Sequence, residues 1–562
     1  MLRQRCLQNS FQDHAAAFNL NKSQRPSGRF FMYFFYLLSA SFFFIGVLNP
    51  FHIPPWNSFH SEFLCAFAIV FLLLFKSFYK SIEIPKKFLI FAAVISIYIA
   101  IRLIIQNNSA EYKNFLVYFA IYSMALIAGF NTKEIKENNL FNFIISIGFF
   151  LSISVIAQFF DVADNFELLP SIENTRRPGG SLIQANHAAP FICLGLICCL
   201  QKSFSSKIIK LIIFITLSFA IAATESRTGF LAFSVYIFYA SLKKYCGKAI
   251  LFSSLIFVCL SFLLTPKIYD NFYQNQVESH TRITDTSSSG RLLAWSILID
   301  SVKENPITGH GFNSVFSALD NKIRNNESLR SAPFHYSHNI IIDFLIWFGI
   351  PITILILIYS SKIILKIDDE KNDKTKIILI PLIIHALLEY PHAYMYFGIP
   401  FFFIIGRNIT CANTSLFSIN KLTSTILITL TSIPLISYSI LYINSEELIR
   451  SIRFKSIGVA YDSEINEKQQ YLNYFEPDEI ISNIKINKNI SLEDIKYLRK
   501  ISHTRPSKTY ESKYAEALYA SMQCSEYSKQ IKVIESYYGE EEAKKITELI
   551  KFKHQDVPAC SH

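Results

Sequence analysis

Residues 141–160 read FNFIISIGFFLSISVIAQFF, twenty positions in succession without a charged side chain. A helix needs about twenty apolar residues to cross the hydrocarbon core of a bilayer, and this run supplies them in one piece. Comparable runs flank it. Toward the N-terminus they are Phe30–Val47, Phe63–Phe75, Phe88–Ile105 and Phe115–Phe130. Toward the C-terminus they are Ala188–Leu200, Ile208–Ala223, Phe230–Leu242, Ile250–Leu264, Ile340–Tyr359, Ile377–Leu388, Tyr394–Ile405 and Ser424–Ile443. The count of about 12–13 spans predicts an all-α, polytopic membrane protein. Composition agrees: 51% of the 562 residues are hydrophobic, 52 are Phe and only 17% are charged. Mean hydropathy is +0.29, too apolar for a soluble globular chain.

The links between the runs alternate in charge. The N-terminal tail and the links Lys76–Lys87, Lys133–Lys136, Lys202–Lys210, Lys243–Lys248 and Lys362–Lys376 are basic, whereas Asn49–Glu62 holds no Lys or Arg. Cytoplasmic loops carry that excess of positive charge, so the N-terminus is expected in the cytoplasm. Asp161–His187, Thr224–Thr228, Thr265–Ser337 and Glu389–His392 then fall on the opposite face, the periplasm of a Gram-negative cell. The net charge of +11 is thereby explained by membrane orientation, and nucleic acid is not an expected partner.

The expected organisation is a basic tail over 1–29 with no cleavable signal, a transmembrane bundle over 30–264 and a large periplasmic loop over 265–337. Further transmembrane helices follow over 338–443, and a soluble helical domain, also periplasmic, over 444–562. In that last domain Ser512–Ser528 and Glu535–Lys551 read as amphipathic helices joined near Gly539, like one helical-repeat hairpin. Cys524 and Cys560 could pair there in an oxidising compartment. Cys193, Cys198, Cys199 and Cys259 sit in apolar runs, as small hydrophobes do.

Candidate chemistry gathers on the non-cytoplasmic face. Arg291 lies in SSSGR ahead of LLAWSILID, a short amphipathic helix at the interface; Arg227 lies in ESRTG, and Arg176 and Arg177 in NTRRPGG. Guanidinium groups fork around phosphate oxygens. His338 ends HYSH before a span, and an imidazole can take a proton from a hydroxyl nucleophile near neutral pH. Gln184, Asn186 and His187 belong to QANHAA, and His385, Glu389 and Tyr390 to HALLEYP. Singly, each has a plain structural reading: a snorkelling arginine, a capping amide, a packed histidine. Their shared face favours function.

QANHAA, ESRTG, SGRLLAW followed by NPITGHGF, the HN pair before FLIWFGIP, and HALLEYP followed by FGIPFF together resemble the O-antigen ligase superfamily. More narrowly, the chain resembles its PglL/PilO type, the bacterial protein O-oligosaccharyltransferases. The likeness runs over roughly 176–405. Ala185 departs from it, since these proteins usually carry proline after the glutamine. The resemblance implies transfer of a preassembled glycan from undecaprenyl pyrophosphate to Ser or Thr of a periplasmic protein such as a pilin. It makes His338 the essential histidine, Arg227 and Arg291 the pyrophosphate ligands, and Gln184 and Tyr390 further site residues. Asn186, His187, Glu389 and Arg177 are weaker candidates for substrate binding. No cofactor and no metal are expected, and the enzyme is expected in the inner membrane with its site facing the periplasm. The nearest alternative is a ligase acting on lipid A-core. A transporter is the alternative of another class, disfavoured because no internal repeat is visible.

Overall fold

The computed structural model describes residues 25–105, 109–163, 177–272, 288–326, 328–365, 374–409, 414–456, 458–459, 476–505, 507–555, 557–558 and 560. Arg176 and most of the tail over 1–29 lie outside them. The first helices are α1 (Arg25–Leu48), α2 (Phe59–Tyr79), α3 (Lys86–Ile105), α4 (Ser109–Asn131), α5 (Glu137–Phe159), α6 (Ala185–Gln201), α7 (Lys207–Ala223), α8 (Arg227–Leu242) and α9 (Lys248–Phe272). Next come α10 (Ser288–Val302), α11 (Val315–Asn325), α12 (Ile340–Leu365), α13 (Leu379–Leu388), α14 (Met395–Asn408) and α15 (Lys421–Ser456). The last are α16 (Glu476–Asn483), α17 (Leu492–Thr504), α18 (Lys508–Ala520), α19 (Cys524–Tyr538) and α20 (Glu540–Lys553). Two short strands, β1 (Ile82–Pro85) and β2 (Leu416–Ile419), pair antiparallel with Ile82 opposite Ile419.

Every one of the thirteen apolar runs coincides with a helix. Among the described residues, 7 helices are long and apolar enough to cross a membrane, and Phe34–Leu48 and Ala185–Gln201 are shorter apolar helices. The protein is a multi-pass, all-α membrane protein. α9 continues to Phe272, eight residues beyond the apolar run, because Tyr269 packs on Phe159 and Phe272 on Phe160 at ring distances of 5.5 and 5.3 Å. The C-terminal tail departs from the expected hairpin. Ser512–Ser528 is broken at Met522, whose φ is 61°, so α18 and α19 are separate helices and the break at Gly539 opens a third.

The chain forms two compact units. The first comprises 1–106, 114–280 and 359–439; the second comprises 107–113, 281–358 and 440–562. In the first unit α6 is central. Every one of its residues except Asn186 is buried, as befits a helix apolar all round. It crosses α5 where two glycines meet: a Cβ on Gly148 would lie 3.1 Å from Gly195 Cα, and small residues of this kind let membrane helices approach closely. In the second unit the polar loop after α9 and the C-terminal tail fold together, although more than a hundred residues separate them. Cys524 and Cys560 form a disulfide there, with Cα atoms 5.3 Å apart; it closes α20 and the C-terminus onto the start of α19.

Candidate functional site

In the second unit His338 lies two residues before α12 and adopts φ +61°. That left-handed region costs an L-residue with a Cβ about 1–2 kcal/mol, so the surroundings must hold it there. They do so from both sides. Trp295 Nε1 donates to Ser337 O at 2.6 Å, and Ser337 N donates to the buried Asp343 Oδ1 at 2.8 Å. Ser337 Oγ donates to Asn339 O at 2.9 Å, while Asn339 Oδ1 accepts from Ile341 N at 3.0 Å. Asn339 thus caps the first turn of α12. Strained residues held this way cluster at functional sites. Arg291 lies one helical turn before Trp295, an i, i+4 pair that shares a helix face. The Trp295–Ser337 bond therefore brings the Arg291 and His338 motifs together.

His335, three residues earlier, is a different kind of histidine. Burial, and then the Arg505 guanidinium, push it down to about 4, which keeps it neutral at physiological pH.

NPITGHGF has a structural task. His310 N donates to Ile346 O at 2.7 Å, Gly311 N to Trp347 O at 3.2 Å, and Ile350 N to Pro306 O at 2.7 Å. These bonds fasten the loop to α12 at its break, where Gly349 has φ 75° and ψ 179°. The backbones meet so closely that a Cβ on Gly309 would lie 2.6 Å from Gly349 N. TGHG and WFGIP are therefore two halves of one joint.

In the first unit Asn186 connects four of the motifs. Its Nδ2 donates to Glu389 Oε1 at 2.7 Å, and its Oδ1 accepts from Arg177 Nη2 at 2.8 Å and Ser226 Oγ at 3.2 Å. Arg177 Nε also donates to Thr224 O at 3.2 Å. NTRRPGG, QANHAA, ESRTG and HALLEYP thus converge on one amide. Arg227, the next residue after Ser226, is exposed and opens α8, where the partial positive charge of a helix N-terminus adds to its own. Gln184 sits at the start of α6; its carbonyl accepts from His187 N and Ala188 N at 2.9 and 3.0 Å, and its side chain makes no cap bond. Tyr390 is partly exposed just after Glu389.

A family profile described as O-antigen ligase matches residues 212–357. The ComP-specific O-oligosaccharyltransferase of Acinetobacter baylyi is 28% identical over 398 residues, 66% of this chain and 70% of that protein. The general O-oligosaccharyltransferase of the same organism is 26% identical, over 66% of this chain and 69% of its own length. These likenesses support a place in the O-antigen ligase superfamily, on its O-oligosaccharyltransferase branch. The chain is accordingly a glycosyltransferase-type enzyme.

Within this superfamily fold the weaker candidates separate by environment. His187 is 1% exposed, its Nδ1 lies 3.1 Å from Tyr396 Oη, and its ring packs 4.4 Å from Tyr394 and 5.8 Å from His385. It is part of the core. Arg177 and Glu389 engage Asn186, and they hold the Arg227 turn in place through it and through Ser226. Among the described residues no group of three or more His, Cys, Asp or Glu could hold a metal ion.

Trp295 and Asp343 were not singled out from the sequence, although a carboxylate inside an apolar span is a signal in itself. A second missed set joins the loop to the tail. Arg324 on α11 donates to Asp320 Oδ2 at 2.6 Å, to Glu511 Oε2 at 3.0 Å and to Gln530 Oε1 at 2.6 Å, and Tyr537 Oη donates to Asp320 Oδ1 at 2.8 Å. Burial, opposed by Arg324 and reinforced by Asp320, pushes Glu511 up to about 7.

Proposed function

We propose that the protein transfers a preassembled oligosaccharide from undecaprenyl pyrophosphate to a Ser or Thr hydroxyl of a periplasmic protein such as a pilin. The reaction takes place at the periplasmic face of the bacterial inner membrane. The observation that carries this reading is the left-handed backbone of His338, held by Trp295 and Asp343 next to the turn that bears Arg291. The Cys524–Cys560 disulfide, in the same unit as His338, supports an oxidising compartment for that unit.

In this mechanism the imidazole of His338 accepts the proton of the acceptor hydroxyl, and the oxygen attacks the anomeric carbon. The bond to pyrophosphate breaks as the new glycosidic bond forms, inverting that carbon, and undecaprenyl pyrophosphate leaves with the electron pair. Arg227 and Arg291 stabilise its developing charge, and each such contact is typically worth about 3 kcal/mol. The arginines supply the positive charge, so no divalent ion is required. Gln184 and Tyr390 contact the donor or the acceptor.

The test is a deletion strain read in two ways: glycoprotein staining with intact pilin mass, and the lipopolysaccharide ladder. Loss of protein glycan beside an unchanged ladder supports this reading. The reverse outcome selects a ligase acting on lipid A-core, a reading that the O-antigen ligase profile over residues 212–357 keeps as the alternative. Transfer abolished by EDTA in purified material overturns the metal-free chemistry.

A further inference from the structure

Apart from Asp343 and Lys362 α12 is largely apolar, yet its two halves have different surroundings. Before the break at Gly349, Asp343, Ile346, Trp347 and Phe348 are 0–3% exposed; after it, Ile350, Ile354, Leu355 and Ile358 are 39–48% exposed. Covered backbone and bare apolar side chains thus change over at one level of the helix. Apolar side chains left bare on a membrane-spanning helix face lipid, so the changeover puts the edge of the hydrocarbon within a turn of Gly349 rather than at Ile340.

The loop is fastened at that same level, through the bonds from His310 N to Ile346 O and from Ile350 N to Pro306 O. Between the two attachment points the chain turns with Ile307 71% exposed. Such a side chain has little reason to be bare in water when the adjoining surface of α12 is lipid-facing. On the approach to it, α10 exposes Leu292, Leu293 and Ile299. The acids nearby are paired: Asp300 with Lys303 and Lys322, at 3.0 and 2.9 Å, and Glu304 with Lys322, at 2.7 Å.

We infer that the Pro306–Thr308 turn is inserted into the lipid leaflet, with Ile307 at the boundary between headgroups and acyl chains. The surface it meets is continuous with the lipid-facing half of α12, and the partner is the leaflet itself. Ile340–Leu345 then crosses the headgroup layer, and His338 emerges just beyond it, in water. The loop is attached to the membrane through this turn independently of any substrate.

The test places an environment-sensitive nitrobenzoxadiazole label at Ile307→Cys in the full-length protein, reconstituted in phosphatidylcholine vesicles. A second label at Phe552→Cys, on an exposed position of α20, provides the aqueous reference, and the parent protein provides the labelling blank. Insertion gives blue-shifted emission at position 307, quenched several-fold more strongly by lipids spin-labelled near the headgroup than the label at 552. Emission and quenching at 307 equal to those at 552 overturn the inference, because the turn then faces water. A blue shift without quenching overturns it too, because the turn is then covered by protein.

Discussion

Trp295 donates its indole N–H to the carbonyl oxygen of Ser337 across 2.6 Å, which ties a helix of the polar loop to the residue before His338. The bond acts on backbone, so its loss displaces the histidine without altering its chemistry. Trp295→Phe keeps the ring and removes the donor. A net hydrogen bond is worth about 1 kcal/mol, so turnover should fall roughly five- to tenfold, measured as glycan transfer to acceptor peptide, while the pH profile keeps its shape.

His338 offers a test that separates strain from catalysis. Glycine adopts φ +61° without the penalty that a Cβ imposes, about 1–2 kcal/mol, and loses about 0.5–1 kcal/mol to its greater freedom when unfolded. His338→Gly should therefore melt no lower than the parent protein and yet transfer no glycan. Residual transfer at a tenth of the parent rate would rule out His338 as the base.

For the arginines, charge alone is not enough. Arg227→Lys and Arg291→Lys retain the cation and lose the two-pronged donor. Each should lower transfer about a hundredfold without changing the amount of protein in the membrane. Undiminished transfer would remove bidentate pyrophosphate binding from the mechanism.

The contact between loop and tail should respond to pH. Glu511 is held at about 7, against an ordinary 4.5, so the folded state binds its proton more tightly than the unfolded chain does. The stability from this group is fully present below 4.5 and is lost as pH rises through about 7. The loss is on the order of 3 kcal/mol. Thermal unfolding of the parent should weaken from pH 5 to pH 8, and Glu511→Gln should flatten that slope.

The disulfide predicts both stability and location. Cys560→Ser opens a loop with a sequence separation of 36 residues, and bridges of this size contribute about 2–4 kcal/mol. The melting temperature should fall, as it should on adding reductant to the parent. In intact cells, Cys524 and Cys560 should resist maleimide until they are reduced.

The helical membrane fold was legible in the sequence because a bilayer imposes a length and a polarity that apolar runs display directly. Every expected span has its helix. Arg291 and His338 could be named as candidates from their motifs, but Trp295 could not, because what it contributes is a bond to a backbone carbonyl more than forty residues away. Asn186 was read as a weak candidate, and its place where four motifs meet depends on helix packing that no local pattern encodes. His187 shares a motif with Asn186 and is one position away, yet a helix turns consecutive residues apart, and it points into the core. The tail was misread at Met522 because a left-handed methionine leaves no compositional mark, whereas Gly539 announced its break.

The buried ion cluster on α11 also constrains how the protein is made. Asp320 and Arg324 belong to a segment synthesised long before Glu511, Gln530 and Tyr537, which complete their bonding. Until the last fifty or so residues have been delivered to the same side of the membrane, the segment that carries His338 remains half assembled. A ribosome that stops early leaves every transmembrane helix in place and an enzyme that has not yet matured.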